Sequence, residues 1–136
     1  MATKFFICNT CGNVVFKVID SGVGVVCCGK PMQELIPSTN DTVMEKHLPV
    51  VECEKDGTIR VKVGSAPHPM TPGHHISFIF LETEDGGQMK FLMPDDAPEA
   101  VFHSCKGKPI AVYEFCNIHG LWKTELKECD SKKDCK

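Results

Sequence analysis

The sequence predicts an all-β chain in two parts, a small metal-stapled N-terminal module and a seven-stranded β-sandwich. Three observations predict it. No segment carries a sustained helical period, whereas short apolar or alternating runs recur at sandwich-like spacing between Gly, Pro, Asn and Asp clusters. Four cysteines, Cys8, Cys11, Cys27 and Cys28, crowd into the first thirty residues. Between the two parts, Pro37-Ser38-Thr39-Asn40-Asp41 is a turn-rich break in composition. The expected divisions are residues 1–37, 38–128 and a polar, lysine-rich, mobile tail over 129–136.

Taken in order, the runs at 14–19 and 23–26 read as two short strands around the turn Asp20-Ser21-Gly22. So few residues bury too little apolar surface to fold unaided, since chains below about 40 residues generally need a metal or disulfide. Cys8-Asn9-Thr10-Cys11-Gly12 and Cys27-Cys28-Gly29 supply four thiolates for a tetrahedral site. The adjacent pair breaks the usual double Cys-x-x-Cys pattern and predicts a distorted tetrahedron holding zinc or a single iron. The glycines after each cysteine group allow tight turns that bring backbone N–H groups toward sulfur.

Beyond the break, strands are expected at 48–54, 58–63, 76–82, 88–92, 100–103, 110–115 and 121–127. The second of these alternates cleanly, giving one wet face, and the third is nearly continuous in apolar residues, as a central strand should be. Glu84-Asp85-Gly86-Gly87 marks a hairpin turn. Phe78, Phe80 and Phe91 are assigned to the core, as is Cys53, which shares a strand face with Val51. Trp122 is expected to pack beneath the ligand loop, and His103 to lie on the surface.

Nine cysteines would suggest disulfides in a secreted chain, but their number is odd and their spacing clustered, and residues 1–8 lack the features of a signal peptide. Metal sites in a reducing cytoplasm are therefore expected. With a net charge of −3 and no Lys/Arg block before the tail, nucleic acid is not the expected partner. The longest apolar run is too short to cross a bilayer.

The second cluster begins at Cys116-Asn117-Ile118-His119-Gly120, where a thiolate and an imidazole three positions apart can close on one ion. His47, His68 and His74 offer further ligands, with His74 preferred over its neighbour His75. A five-ligand set rich in imidazole departs from four-ligand structural zinc and points to a redox iron with one position open.

These motifs in order, Cys-x-x-Cys-Gly, Cys-Cys-Gly, Glu45-Lys46-His47-x-Pro49-Val50, His68-Pro69-Met70 with His74, and Cys116-Asn117-x-His119-Gly120, resemble desulfoferrodoxin, the two-iron form of superoxide reductase. Lys90-Phe91-Leu92 and Asp96-Ala97-Pro98-Glu99-Ala100 extend the resemblance, which runs from about residue 6 to residue 125. It implies a desulforedoxin-like module holding one iron through Cys8, Cys11, Cys27 and Cys28. It also implies an immunoglobulin-like sandwich whose iron is held by His47, His68, His74 and His119 around an axial Cys116. The implied reaction is one-electron reduction of superoxide to hydrogen peroxide in a homodimer supplied by rubredoxin. Lys46 would steer superoxide and order a proton-donating water, and Glu45 would close onto the ferric ion once product has left. Cys105, Cys129 and Cys135 fall outside the family pattern, as does Thr71-Pro72-Gly73 between two of the ligands. The readings set against the enzyme are a non-catalytic electron carrier or zinc-stabilised binding module and, less favoured, a superoxide dismutase.

Overall fold

The computed structural model describes residues 3–40 and 47–127, and all of the structure described is strand, turn or loop. It divides into two compact units, Met1–Ile36 and Pro37–Lys136.

In the first unit, β1 (Phe5–Ile7) lies between β2 (Val14–Phe16) and β5 (Gln33–Glu34), and β3 (Val26–Cys27) pairs with β4 (Lys30–Pro31). The strands are shorter than the apolar runs that announced them: Val18, Ile19 and Val23 lie in loops and are exposed. Phe5 is the buried anchor, with its ring 5.2 Å from that of Phe16. Asp20 ties the β2–β3 loop down, accepting from Lys17 at 2.7 Å, Lys4 at 3.0 Å and the Gly22 N–H at 2.9 Å. The Lys17 ammonium and the Gly22 N–H, followed by Lys4, hold its carboxyl well below the usual range.

The second unit is a sandwich of seven strands. One sheet runs β10 (Glu99–His103), β7 (Thr58–Val63), β6 (Pro49–Cys53); the other runs β12 (Gly120–Glu125), β11 (Pro109–Cys116), β8 (Ile76–Thr83), β9 (Gly86–Phe91), with every pairing antiparallel. The period of two decides the faces. Ile59, Val61 and Val63 turn inward from β7 to meet Ile79 and Leu81 of β8, Ala100 and Phe102 of β10, and Val112 of β11. Phe78 and Phe80 turn to the other side of their sheet, stacked on Phe115 and tilted against Tyr113.

Where β8 meets β11 the register slips: Phe115 pairs with Phe78 but Cys116 pairs with Ile76, leaving Ser77 as an extra residue. Such a bulge re-aims what precedes it. Ile76, which would otherwise share the face of Phe78, joins the core beside Cys116.

Two expectations are corrected. Phe91 is 81% exposed, because β9 is an edge strand with neighbours on one side only. Cys53 is exposed at the open end of the other edge strand, β6, and it is engaged in a disulfide, as is Cys105.

Replacing the fully buried Leu81 with alanine should destabilise the fold by about 2–5 kcal/mol, measured by denaturant unfolding. Phe91→Ala should stay within about 0.5 kcal/mol of the parent. Equal losses would contradict the assignment of Phe91 to the surface.

Candidate metal centres

In the first unit the loop after β1 folds back so that the Cys8 N–H donates to Asn13 O and the Gly12 N–H to Cys8 O, both at 2.8 Å. Gly12 adopts φ 84°, a left-handed conformation that costs glycine little. Cys28 adopts φ 54°, which a non-glycine residue takes only at a cost of about 1–2 kcal/mol. That conformation brings two successive side chains to one point, which alternating strand geometry forbids. The four sulfurs lie within 4.8 Å of one another. Cys11 Sγ and Cys27 Sγ are 3.6 Å apart, far beyond a disulfide and close to the edge, about 3.8 Å, of a tetrahedron with 2.3 Å metal–sulfur bonds. Backbone N–H groups of Cys11 and Thr10 hold the Cys8 thiol down at about 6, while hydrogen bonds from the crowded neighbours Cys11 and Cys8 push Cys28 up to about 12. Four thiolates so close cannot all ionise without a cation, and a bound metal dication takes the place of the protons.

The second cluster stands at one end of the sandwich. His47 lies two residues before β6; His68 and His74 lie on the connection between β7 and β8; Cys116 closes β11 and His119 sits in the turn to β12. The four imidazoles form a closed ring. Successive centroids, from His47 to His68, His74, His119 and back to His47, are 4.8, 4.8, 5.1 and 4.7 Å apart, each pair edge to face. Donor atoms of His47, His74, His119 and Cys116 all fall within 4.8 Å of one another, and His68 completes the set through the ring geometry.

The nitrogens that face inward follow from the hydrogen bonds. His68 Nδ1 lies 2.7 Å from Pro69 O and therefore carries the proton, which leaves Nε2 as its donor atom. His47 Nε2 and His119 Nδ1 are 3.0 Å apart, the edge expected (about 3.0 Å) for two nitrogens each about 2.1 Å from one ion in a square array. Cys116 is fully buried, and its sulfur accepts the His119 N–H at 3.4 Å. His47 and His68 are buried, His74 half-buried and His119 exposed, so solvent reaches the ring past the last two.

Packing around the ring keeps it in place. Trp122, core-facing opposite Glu114, stacks on His47 at 4.7 Å and 12°, and its indole N–H donates to His119 O at 3.1 Å. Asn117 was not assigned a role from sequence. Its amide donates to Gly73 O at 3.0 Å and accepts from the His75 N–H at 2.8 Å, and its own N–H donates to His75 O at 3.1 Å. It therefore sews the His74 loop to the Cys116–His119 turn; an amide flanked by two predicted ligands was the available signal. Within that loop, Thr71 and His74 exchange backbone bonds of 2.9 and 3.2 Å around Pro72-Gly73, a dipeptide suited to a tight turn. His75 turns its Nδ1 to Thr71 O, 3.0 Å away, and stays out of the ring. His103 is exposed. Glu45 and Lys46 lie outside the described residues.

A family model for desulfoferrodoxin matches residues 39–125, and one for the desulfoferrodoxin N-terminal domain matches residues 2–35. The chain belongs to the desulfoferrodoxin family. It is 48% identical to the desulfoferrodoxin of Syntrophotalea carbinolica over 119 residues, 87% of this chain and 92% of that one. It is 44% identical to a superoxide reductase of Pyrococcus abyssi over 101 residues, 61% of this chain and 87% of the other. Among solved structures, the superoxide reductase from Treponema pallidum superposes with a TM-score of 0.79 at 35% identity, covering 91% of this chain and 98% of its own. The four-cysteine cluster and the histidine–cysteine cluster match the two-iron pattern of desulfoferrodoxin.

His68→Ala should weaken iron retention at the second cluster by at least about 10-fold while the four-cysteine site stays loaded, followed by metal analysis during chelator challenge. Undiminished retention would remove His68 from the ligand set.

Proposed function

We propose that this protein is a superoxide reductase, converting superoxide, one electron and two protons to hydrogen peroxide. The observation that carries the reading is the ring of four imidazoles over a buried thiolate, open to solvent past His74 and His119, on a chain related to superoxide reductases. His47, His68, His74 and His119 would hold the iron with Cys116, and Cys8, Cys11, Cys27 and Cys28 a second iron that relays electrons. Iron so held would supply the electron and Lewis-acid binding of a small anion. Neutral imidazoles with a single thiolate leave a local charge near +1, which attracts superoxide.

The chain's own residues do the remaining work. The His119 N–H moderates electron donation from the Cys116 sulfur. Trp122 holds the His47 ring and the His119 turn in place, and Asn117 fastens the His74 loop to that turn. Lys46, next to His47 in the chain, adds positive potential and orders the water that delivers a proton. The neighbouring Glu45 carboxylate would offer a further oxygen ligand to the bound iron.

The electron donor is of the rubredoxin type, and the protein works as a cytoplasmic homodimer. The exposed Val18, Ile19, Val23 and Val26 on the N-terminal unit support a second copy, since so many apolar side chains on so small a unit favour burial against a partner. Among the described residues no helix is long and apolar enough to cross a membrane.

Stopped-flow mixing with superoxide should show its consumption with peroxide formed and no oxygen evolved; oxygen evolution would indicate dismutation instead. Cys116→Ser should abolish this activity while the N-terminal iron stays in place, and full activity in that variant would overturn the reading. Lys46→Ala should slow capture by about 10-fold at low salt, with the difference fading as ionic strength rises. A wild-type rate independent of salt would contradict steering.

A further inference from the structure

β9 is an edge strand, hydrogen-bonded to β8 on one side and open on the other. Open edges are templates for further pairing, and folds blunt them with proline, charge or a covering segment. The other edges of the sandwich carry such protection. β6 opens with Pro49 and carries Glu52, while β10 follows Pro98 and opens with Glu99. Ser38 covers β12, donating to Leu121 O and accepting from the Lys123 N–H, both at 2.9 Å. β9 has no proline, and its one charge is Lys90. It ends on Phe91, whose 81% exposure is the greatest of any large apolar side chain among the described residues, and Met93 just beyond is 66% exposed.

The ladder to β8 fixes which backbone groups face outward. The Leu92 N–H donates to Ser77 O at 3.0 Å, so residue 92 and, by alternation, residues 90, 88 and 86 direct their N–H and C=O groups toward β8. Gly87, Met89 and Phe91 therefore direct theirs to the open edge. These three positions also share one face of the sheet, since Met89 pairs with Phe80 and Phe91 with Phe78. An antiparallel partner must match both features, with outward groups opposite outward groups and like faces together.

A second copy of β9 meets both conditions. Turned about a two-fold axis at Met89, it sets Met89 opposite Met89 and Phe91 opposite Gly87 at either end, all as hydrogen-bonded pairs with about six main-chain bonds. A slip of one residue opposes outward groups to groups already bonded to β8, and a slip of two loses a pair. The side chains agree with this register. A Cβ on Gly87 would run into the Phe80 ring, so the strand keeps a bare backbone there, and an aromatic ring from across the edge can lie over it. Lys90 comes opposite Gln88 and not opposite another Lys90, so like charges do not face each other.

We propose that β9 pairs antiparallel with β9 of a second copy, joining their two four-stranded sheets into one, with Phe91 of each copy over Gly87 of the other. In the dissociated chain Phe91 contributes little to the fold; in the dimer it contributes to association. This surface rests on the homodimer reading and is independent of the reaction catalysed.

Met89→Cys tests the register. The hydrogen-bonded pair on the axis sets the two Cα atoms about 5.5 Å apart, inside the range of about 4.4–6.8 Å that a disulfide spans. The full-length, iron-loaded variant is treated with oxidised glutathione, digested and mapped by mass spectrometry without reduction. A peptide joined to its own copy through residue 89 is expected. Gln88→Cys, on the opposite face and about 8 Å away across the diagonal, should give no such link; a link at 88 with none at 89 overturns the register. Sedimentation velocity over a dilution series then compares the parent with Met89→Glu, which sets two carboxylates against each other on the axis. The variant should dissociate at a concentration at least about 100-fold higher than the parent, with its metal content unchanged as evidence that it is folded. An equal dissociation constant, or no link at residue 89 in a dimeric protein, overturns the β9 pairing and leaves the homodimer standing. A parent that is monomeric at every concentration removes the homodimer, and the pairing with it.

Discussion

Everything in the second unit is arranged around one requirement: four imidazoles from three separate segments must meet at one point above a buried sulfur. No local stretch can satisfy it. The sandwich does so by ending several strands at the same edge, so that residues distant in sequence emerge together. The bulge at Ser77 belongs to this arrangement, since without the extra residue Ile76 and the loop before it would lie on the wrong face of the sheet. Asn117 and Trp122 then lock the loops to one another. The core below is ordinary; its contribution is rigidity, which holds a ligand set to the tolerance that coordination requires.

The N-terminal unit solves a different problem. It has few buried side chains, chiefly Phe5 and Met32 with Cys8, and its strands are two or three residues long. Hydrophobic burial on that scale offsets little of the chain entropy. The four sulfurs supply what is missing, and the left-handed Cys28 is the local strain accepted so that two adjacent residues face one ion.

The metal clusters were legible in the sequence because coordination imposes spacing: Cys-x-x-Cys, Cys-Cys and Cys-x-x-His place donors on tight turns whatever the surrounding fold. The alternation of Thr58 to Val63 fixed the inward face of β7 equally well. What was misread depended on position within a sheet. Phe91 and Cys53 belong to runs that look buried, yet both lie on edge strands, and strand order is a tertiary property that local pattern does not carry. The part played by Asn117 was hidden for the same reason, since its partners Gly73 and His75 are more than forty residues away. The runs at 14–19 and 23–26 exceed the strands the structure forms because exposed apolar residues such as Val18, Ile19 and Val23 give the same local signal as buried ones.

Two different metal environments on this chain each hold one iron. Metal analysis of the purified protein, combined with its visible spectrum during stepwise oxidation, tests it most directly. Two irons per chain are expected, one giving a ferric four-thiolate spectrum at mild potential and the other a separate thiolate-to-iron band only on stronger oxidation. A single iron, or zinc in the histidine–cysteine ring of protein taken from its native host, would contradict it.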